Sequence, residues 1–210
     1  MLVKELAAII HQNAVDHGWW DEPRELPEVV ALIHSEWSEA LEEARAGRPL
    51  AYIVVSDGWQ GNPHESIIER GQDGKYSICG KEYHGKPEGV AVELIDGCIR
   101  ILDVIGYQKA DVLDPHTGEP TRFEELMGKH QAVPLEDMPE DVATLIAWLH
   151  AFTSEAILED GNTAERLVHL VGAMSLAVSW VQAQGVDPLV LLLEKHEYNK
   201  GRPYKHGKKF

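Results

Sequence analysis

The chain is short of cysteine, of long apolar runs and of basic residues, and each shortage excludes a class of protein. Two cysteines, Cys79 and Cys98, in 210 residues cannot supply a disulfide framework, and so low a number suits a reducing, cytoplasmic setting. The run "LVLLL" at 189–193 is among the longest apolar stretches, far below the roughly 20 residues that span a bilayer. The opening "MLVKELAAIIHQ" carries Lys4 and Glu5 where a signal peptide would have an uninterrupted apolar core. The expectation is a soluble protein with no membrane partner. Nineteen Lys and Arg stand against 35 Asp and Glu, a formal net charge of −16. Such a balance argues against a nucleic-acid partner, because a phosphate backbone is bound by clustered cations that displace counterions.

Several motifs are missing too. GxSxG, P-loop and GxGxxG patterns are absent, which removes support for hydrolase-elbow, P-loop and Rossmann readings. The 11 histidines form no HxH or HxxxH pair and no Glu-x-x-His occurs, so neither a zinc site nor a ferritin-like di-iron site is indicated.

What is present is mostly helical. With 44% hydrophobic residues the chain can bury a substantial core, and its length fits one domain over residues 1–210. Apolar positions Leu2, Leu6, Ile9 and Ile10 predict an amphipathic helix ending near Gly18. A second helix begins at Pro27 and stops before Gly47 and Pro49; a third begins at Pro87; two apolar helices flank Gly161, with Asn162 or Thr163 as N-cap; a last one runs from Pro188 to Asn199. Two stretches break the pattern: 48–87, β-prone in "AYIVVS" and "KYSICG" and read as an insertion with a short hairpin, and 109–137, irregular and rich in Asp, Pro and Gly. The fold class expected is all-α, a helical bundle with a short β-prone insertion.

The chemistry-bearing residues are acidic. In "SEWSEALEEAR" the helical repeat puts Glu36, Glu39 and Glu43 on one stripe. In the third helix Glu93 and Asp96 lie three apart within the apolar "VAVELIDGCIRILD", a context in which an unpaired carboxylate is costly. If the two helices pack, Glu36, Glu39, Glu93 and Asp96 converge, and four carboxylates suit Mg²⁺ or Mn²⁺, which in turn bind phosphate oxygens. The competing reading is a solvated acidic face, with Glu93 and Asp96 paired to Arg100 or to a distant lysine. Six of the 19 basic residues crowd the last sixteen positions. Such a tail suits a small polyanion such as a nucleotide phosphate, or is simply a frayed terminus.

Taken together, "IHSEWSEALEEAR", "KPEGVAVELIDGCIRILD" and "KHEYNKGRPYKHGKK", with "HGWWD" ahead of the first, resemble the MazG-like branch of the all-α nucleoside triphosphate pyrophosphohydrolases. Relatives of that branch include dimeric dUTPases and phosphoribosyl-ATP pyrophosphatases. The resemblance covers the first three helices and the C-terminal segment and skips both insertions. The family pattern is EExxE followed by ExxD; here Ser35 replaces the first Glu, and Glu43 or Asp103 are outer candidates for the missing ligand.

The resemblance implies a metal-dependent cleavage of a nucleoside triphosphate between its α and β phosphates, giving monophosphate and pyrophosphate, by a homodimer or higher homo-oligomer. Glu36, Glu39, Glu93 and Asp96 would hold Mg²⁺ and activate water. Lys195, Asn199, Arg202 and Lys208 would meet the phosphates. Trp19, Trp20 and Trp37 are candidates for stacking on the base, with interhelical packing the plainer use of each. The small residues Gly172, Ala173, Ser175 and Ala177 suit either close packing inside the chain or a dimer interface. A helical nucleotide-binding or regulatory protein without turnover is the alternative, and the Ser35 departure keeps it open.

Overall fold

A computed structural model describes residues 1–59, 62–126, 137–158 and 163–207. Among them the chain is predominantly helical, with six α-helices: α1 (Val3–Asp16), α2 (Leu26–Arg45), α3 (Val90–Gln108), α4 (Val142–Leu158), α5 (Thr163–Ala183) and α6 (Pro188–Lys200). The centre is α3. Twelve of its residues are buried, from Val90 to Ile105, and it packs against α1, α2, α5 and α6, while α4 closes over α2 and α5. A helix apolar on most of its circumference has to be surrounded, and α3 is.

Between α2 and α3 the β-prone segment builds a larger element than its sequence suggests. Strands β1 (Tyr52–Trp59) and β2 (Asn62–Glu69) pair antiparallel over their full length, with Tyr52 opposite Glu69 and Trp59 opposite Asn62. A small hairpin follows, β3 (Ser77–Ile78) with β4 (Lys81–Glu82), and β5 (Pro87–Glu88) returns to pair with the other side of β1. Ile53, Ile68 and Tyr76 form the insertion's own small core.

Pro87 therefore belongs to β5, and α3 starts three residues later than its sequence predicts. The step between them is Gly89 at φ +113, where a Cβ would run into the backbone of Pro49 and Leu50. Only glycine takes that conformation without strain. The second insertion is not wholly irregular: Leu2 bridges to Arg122, a 3-10 turn spans Phe123–Glu125, and Phe123 and Leu126 reach the main core. The break between α4 and α5 lies outside the described residues, as does Asn162, one of its two predicted caps; the other, Thr163, is the first residue of α5.

Two features fix α2 against α3. Trp37 is fully buried and donates its indole N–H to Thr153 Oγ1 of α4 at 3.0 Å. Its ring lies on Gly97 of α3 so closely that a Cβ there would overlap it. Trp37 is thus a packing residue, not a base platform. Ala173, Ser175 and Ala177 are likewise buried within the chain, Ser175 Oγ donating to the Leu126 carbonyl at 2.7 Å. The small-residue face of α5 is spent on intramolecular packing.

Because Gly97 sets the spacing between the two acidic helices, Gly97→Ala should lower stability by about 1–3 kcal/mol through overpacking. Denaturant unfolding of the variant beside the wild type checks it.

Candidate metal and phosphate site

The packing of α2 on α3 brings Glu36, Glu93 and Asp96 together, with one carboxylate oxygen of each within 4.8 Å of the others. Glu36 is 7% exposed and Glu93 5%. They line one wall of a cavity of about 180 Å³ that follows α3 from Glu93 to Asp103, a stretch of roughly 15 Å at the helical rise. Glu39 reaches the same cavity but is exposed, its Oε1 3.5 Å from Ser35 Oγ. Three of the four predicted carboxylates thus form an inner cluster and the fourth stands at its edge.

Two cations compensate the cluster. The Arg100 guanidinium reaches Glu36 Oε1 at 2.5 Å. Lys195, on α6 and 1% exposed, places Nζ 2.8 Å from Asp96 Oδ2 and 3.0 Å from the Pro87 carbonyl oxygen. Lys195 was expected on the phosphates; it is the distant lysine that pairs with Asp96. Glu93 has no hydrogen bond or ion pair among the described residues. Burial first, then the neighbouring Asp96, pushes its carboxyl up to about 8, against the pull of Lys195. Burial also raises Glu36, opposed by Arg100 and aided by Asp96 and Glu39. A buried glutamate with no hydrogen bond or ion pair among the described residues, beside two further carboxylates, is a donor set that fits a hard divalent cation.

The other predicted residues divide. Asn199 and Arg202 line the cavity, as does Trp19, whose ring has the Arg24 guanidinium 5.1 Å from its centroid. Asn199 Oδ1 is buried without a hydrogen-bond partner. Trp20 does not line the cavity: it stacks on Tyr107 at 4.1 Å and donates to Asp103 at 3.0 Å. Asp103 does line it, yet its carboxylate also holds His11 Nδ1 at 2.7 Å. Glu43 is turned away and accepts the Tyr52 hydroxyl at 2.8 Å. Lys208 lies outside the described residues.

Beyond those predictions, the cavity includes Arg24, Lys86, Asn13 and His196. Lys86 sits in the return from the β insertion, paired to Glu88 at 2.8 Å and within the field of Glu93 and Asp96. Nothing in an irregular stretch marks such a lysine in advance. The C-terminal tail is docked rather than frayed over the described residues: His17 Nε2 lies 3.0 Å from the Arg202 carbonyl, Lys205 N–H donates to the His17 carbonyl, and the Tyr204 hydroxyl donates to Asp21. The "HGWWD" loop is its receptor, which is why Arg202 ends beside the cavity.

Glu93 also predicts a pH dependence. Its folded pKa, near 8, lies above the ordinary value of 4.5, so between those limits the native state binds the extra proton and stability falls as pH rises. In chelator, Glu93→Gln should remove that slope, leaving a variant that gains on the wild type between pH 4 and pH 9 in denaturant titrations (about five pH units, spanning both values).

Compared with known proteins, the chain matches no family model, no curated protein and no solved structure, so the reading of this site rests on its own geometry and on its motifs.

Proposed function

We propose that this protein is a divalent-metal-dependent nucleoside triphosphate pyrophosphohydrolase of the MazG-like, all-α type. The observation that carries the proposal is the unpartnered, 95%-buried Glu93 beside Glu36 and Asp96, in a cavity also lined by Lys86, Asn199 and Arg202. Carboxylates alone would suit many cations. Carboxylates facing cationic side chains across a small cavity suit a cation that is itself shared with phosphate.

Glu36, Glu93 and Asp96 would hold Mg²⁺ or Mn²⁺; when bound, the ion would screen phosphate charge and lower the pKa of water. Glu39, exposed at the edge and paired with no cation among the described residues, would orient the attacking water and take its proton. Water adds to the α-phosphorus, the bond from that phosphorus to the α–β bridging oxygen breaks, and pyrophosphate leaves with the bridging oxygen. Arg202 by its planar fork and Lys86 as a point charge meet the outgoing phosphates. The Asn199 amide, buried and unpaired on its oxygen, is available to a ligand. Trp19, with Ile10, Ala14, Leu32 and Ile99, gives the cavity an apolar side suited to a base.

The test is pyrophosphate release from a panel of canonical and modified nucleoside triphosphates with Mg²⁺, Mn²⁺ or EDTA. Metal-dependent release is expected from one or a few members, with Glu39→Gln and Asp96→Asn each slowing turnover about a hundredfold or more in a folded protein. Nucleotide binding without any pyrophosphate would favour the non-catalytic reading instead.

The homo-oligomer belongs to the same proposal, on a different surface from α5. Helix α4 is apolar on nearly all sides, yet Ala147 and Ala151 are exposed and Trp148 and Phe152 half-buried. An all-round apolar helix left partly uncovered suits burial by a second copy. Ala151→Glu should then shift the mass seen by light scattering from dimer to monomer.

A further inference from the structure

Resting on the hydrolase reading above, we infer that Asp103 selects the base of the substrate. Its carboxylate accepts a hydrogen bond from an exocyclic amino group, so the triphosphate taken carries an amino base, cytosine or adenine, and not a keto base such as uracil.

Position comes first. Asp103 follows Asp96 by seven residues on α3, two helical turns that return to the same face within about 20° and separate the two positions by about 10.5 Å. Both acids line the cavity. Two ligands of one ion lie within about 4–5 Å of each other, so Asp103 is out of reach of an ion held at Glu36, Glu93 and Asp96. Its distance from the cluster matches the span of one sugar and one base ring at covalent bond lengths. The walls there suit a ring. Ile99 lies one turn before Asp103, and Ile10 and Ala14 lie on α1 either side of His11, whose ring bonds Asp103; all three line the cavity together with Trp19.

The carboxylate itself is held in place. His11 Nδ1–H donates to Oδ1 at 2.7 Å, and Trp20 Nε1–H is shared between Oδ1 at 3.0 Å and Oδ2 at 3.1 Å. Neither His11 nor Trp20 lines the cavity, so both donors grip the carboxylate from outside it. A carboxylate accepts about four hydrogen bonds, and Oδ2 has taken only the longer branch of a shared one. The Asp103 side chain is 19% exposed and keeps lone pairs for a further donor. An acceptor-only group suits no part of a nucleoside triphosphate except an N–H or O–H. Beyond the phosphates those are a base amino group or a sugar hydroxyl.

Asn13 decides between them. Its side chain lines the cavity two residues from His11 and makes no hydrogen bond among the described residues. The amide N–H is the donor that the ring nitrogen beside the amino group of cytosine or adenine accepts, so Asp103 and Asn13 together match that edge. Uracil and hypoxanthine put a carbonyl oxygen where the amino group stands, and that oxygen would face Asp103 with no proton between them. His11 and Trp20 are positioning residues, acting through Asp103.

The experiment is a calorimetric titration of the full-length protein, in Mg²⁺, with α,β-imido triphosphates, which bind without being cleaved. Deoxycytidine is compared with deoxyuridine, and deoxyadenosine with deoxyinosine. In each pair that binds, the amino member is expected to bind at least about tenfold more tightly. Asp103→Asn, whose amide N–H can face a carbonyl, should reverse the order, whereas loss of a merely structural Asp103 would weaken both members alike. Equal affinities within a pair on the wild type, or a ratio that a folded Asp103→Asn leaves unchanged, would overturn the inference and leave the hydrolase reading standing. So would a preference for cytidine over deoxycytidine that is blind to the base, since it would put a sugar hydroxyl on Asp103. Failure of every analogue to bind would overturn both. The wild-type ratios decide even if the variant does not fold.

Discussion

Burying two carboxylates, with a third half-buried beside them, between two packed helices is the constraint around which this molecule is arranged. A single buried carboxylate is costly without a partner, and three within 4.8 Å repel one another as well. The chain meets that cost from two directions. Arg100 comes from α3 itself, one turn beyond Asp96, and Lys195 comes from α6, close to a hundred residues later in sequence. Neither forms an ion pair with Glu93, so much of the residual burden falls on that acid, whose carboxyl burial and Asp96 push up to about 8 against the more distant pull of Lys195. A site that cannot balance itself internally is one that gains from an external cation.

The same constraint accounts for the way the peripheral segments attach. Lys195 bonds the Pro87 carbonyl as well as Asp96, and Arg70, at the end of β2, pairs with Glu194 at 3.2 Å. Adjacent residues of α6 therefore hold the β insertion and the acidic cluster at once. On the opposite side His17 and Asp21 receive the tail, which carries Arg202 to the cavity. The insertion and the tail converge on the cavity because the groups that anchor them also line it or neighbour those that do.

The helices were legible in the sequence because their apolar periodicity and their stops are local properties: Pro27 near the start of α2, Gly47 beyond its end, Pro188 opening α6. The pairing of Glu36 with Glu93 and Asp96 was legible for a related reason, since acids inside an apolar helix need a common partner. The start of α3 was not, because Pro87 suits a helix N-terminus and a β-edge equally well, and tertiary pairing with Ile53 decided between them. Trp37 and Trp20 show the same limit. An aromatic side chain inside or beside a motif can serve a ligand or a neighbour, and only Gly97 beneath one ring and Tyr107 against the other show which. Lys195 was expected on the phosphates, as one cation of the basic C-terminal segment. Its burial depends on how α6 is laid on α3, which no local pattern encodes.

The overall charge adds a last consideration. A nucleoside triphosphate carries several negative charges, and a protein with a formal net charge of −16 repels it at long range. That repulsion is screened beyond about 8–10 Å in physiological salt, so what decides entry is the potential near the cavity itself. There Arg24, Lys86, Arg100, Lys195 and Arg202 are gathered around Glu36, Glu39, Glu93, Asp96 and Asp103. Five cations and five acids leave the neighbourhood of the cavity close to neutral while the rest of the molecule stays strongly acidic. A polyanion that arrives already complexed with a divalent ion has shed much of its own charge, and it brings the ion that the carboxylates lack. On the proposed reading, that local balance of charge would favour the complex over the free nucleotide.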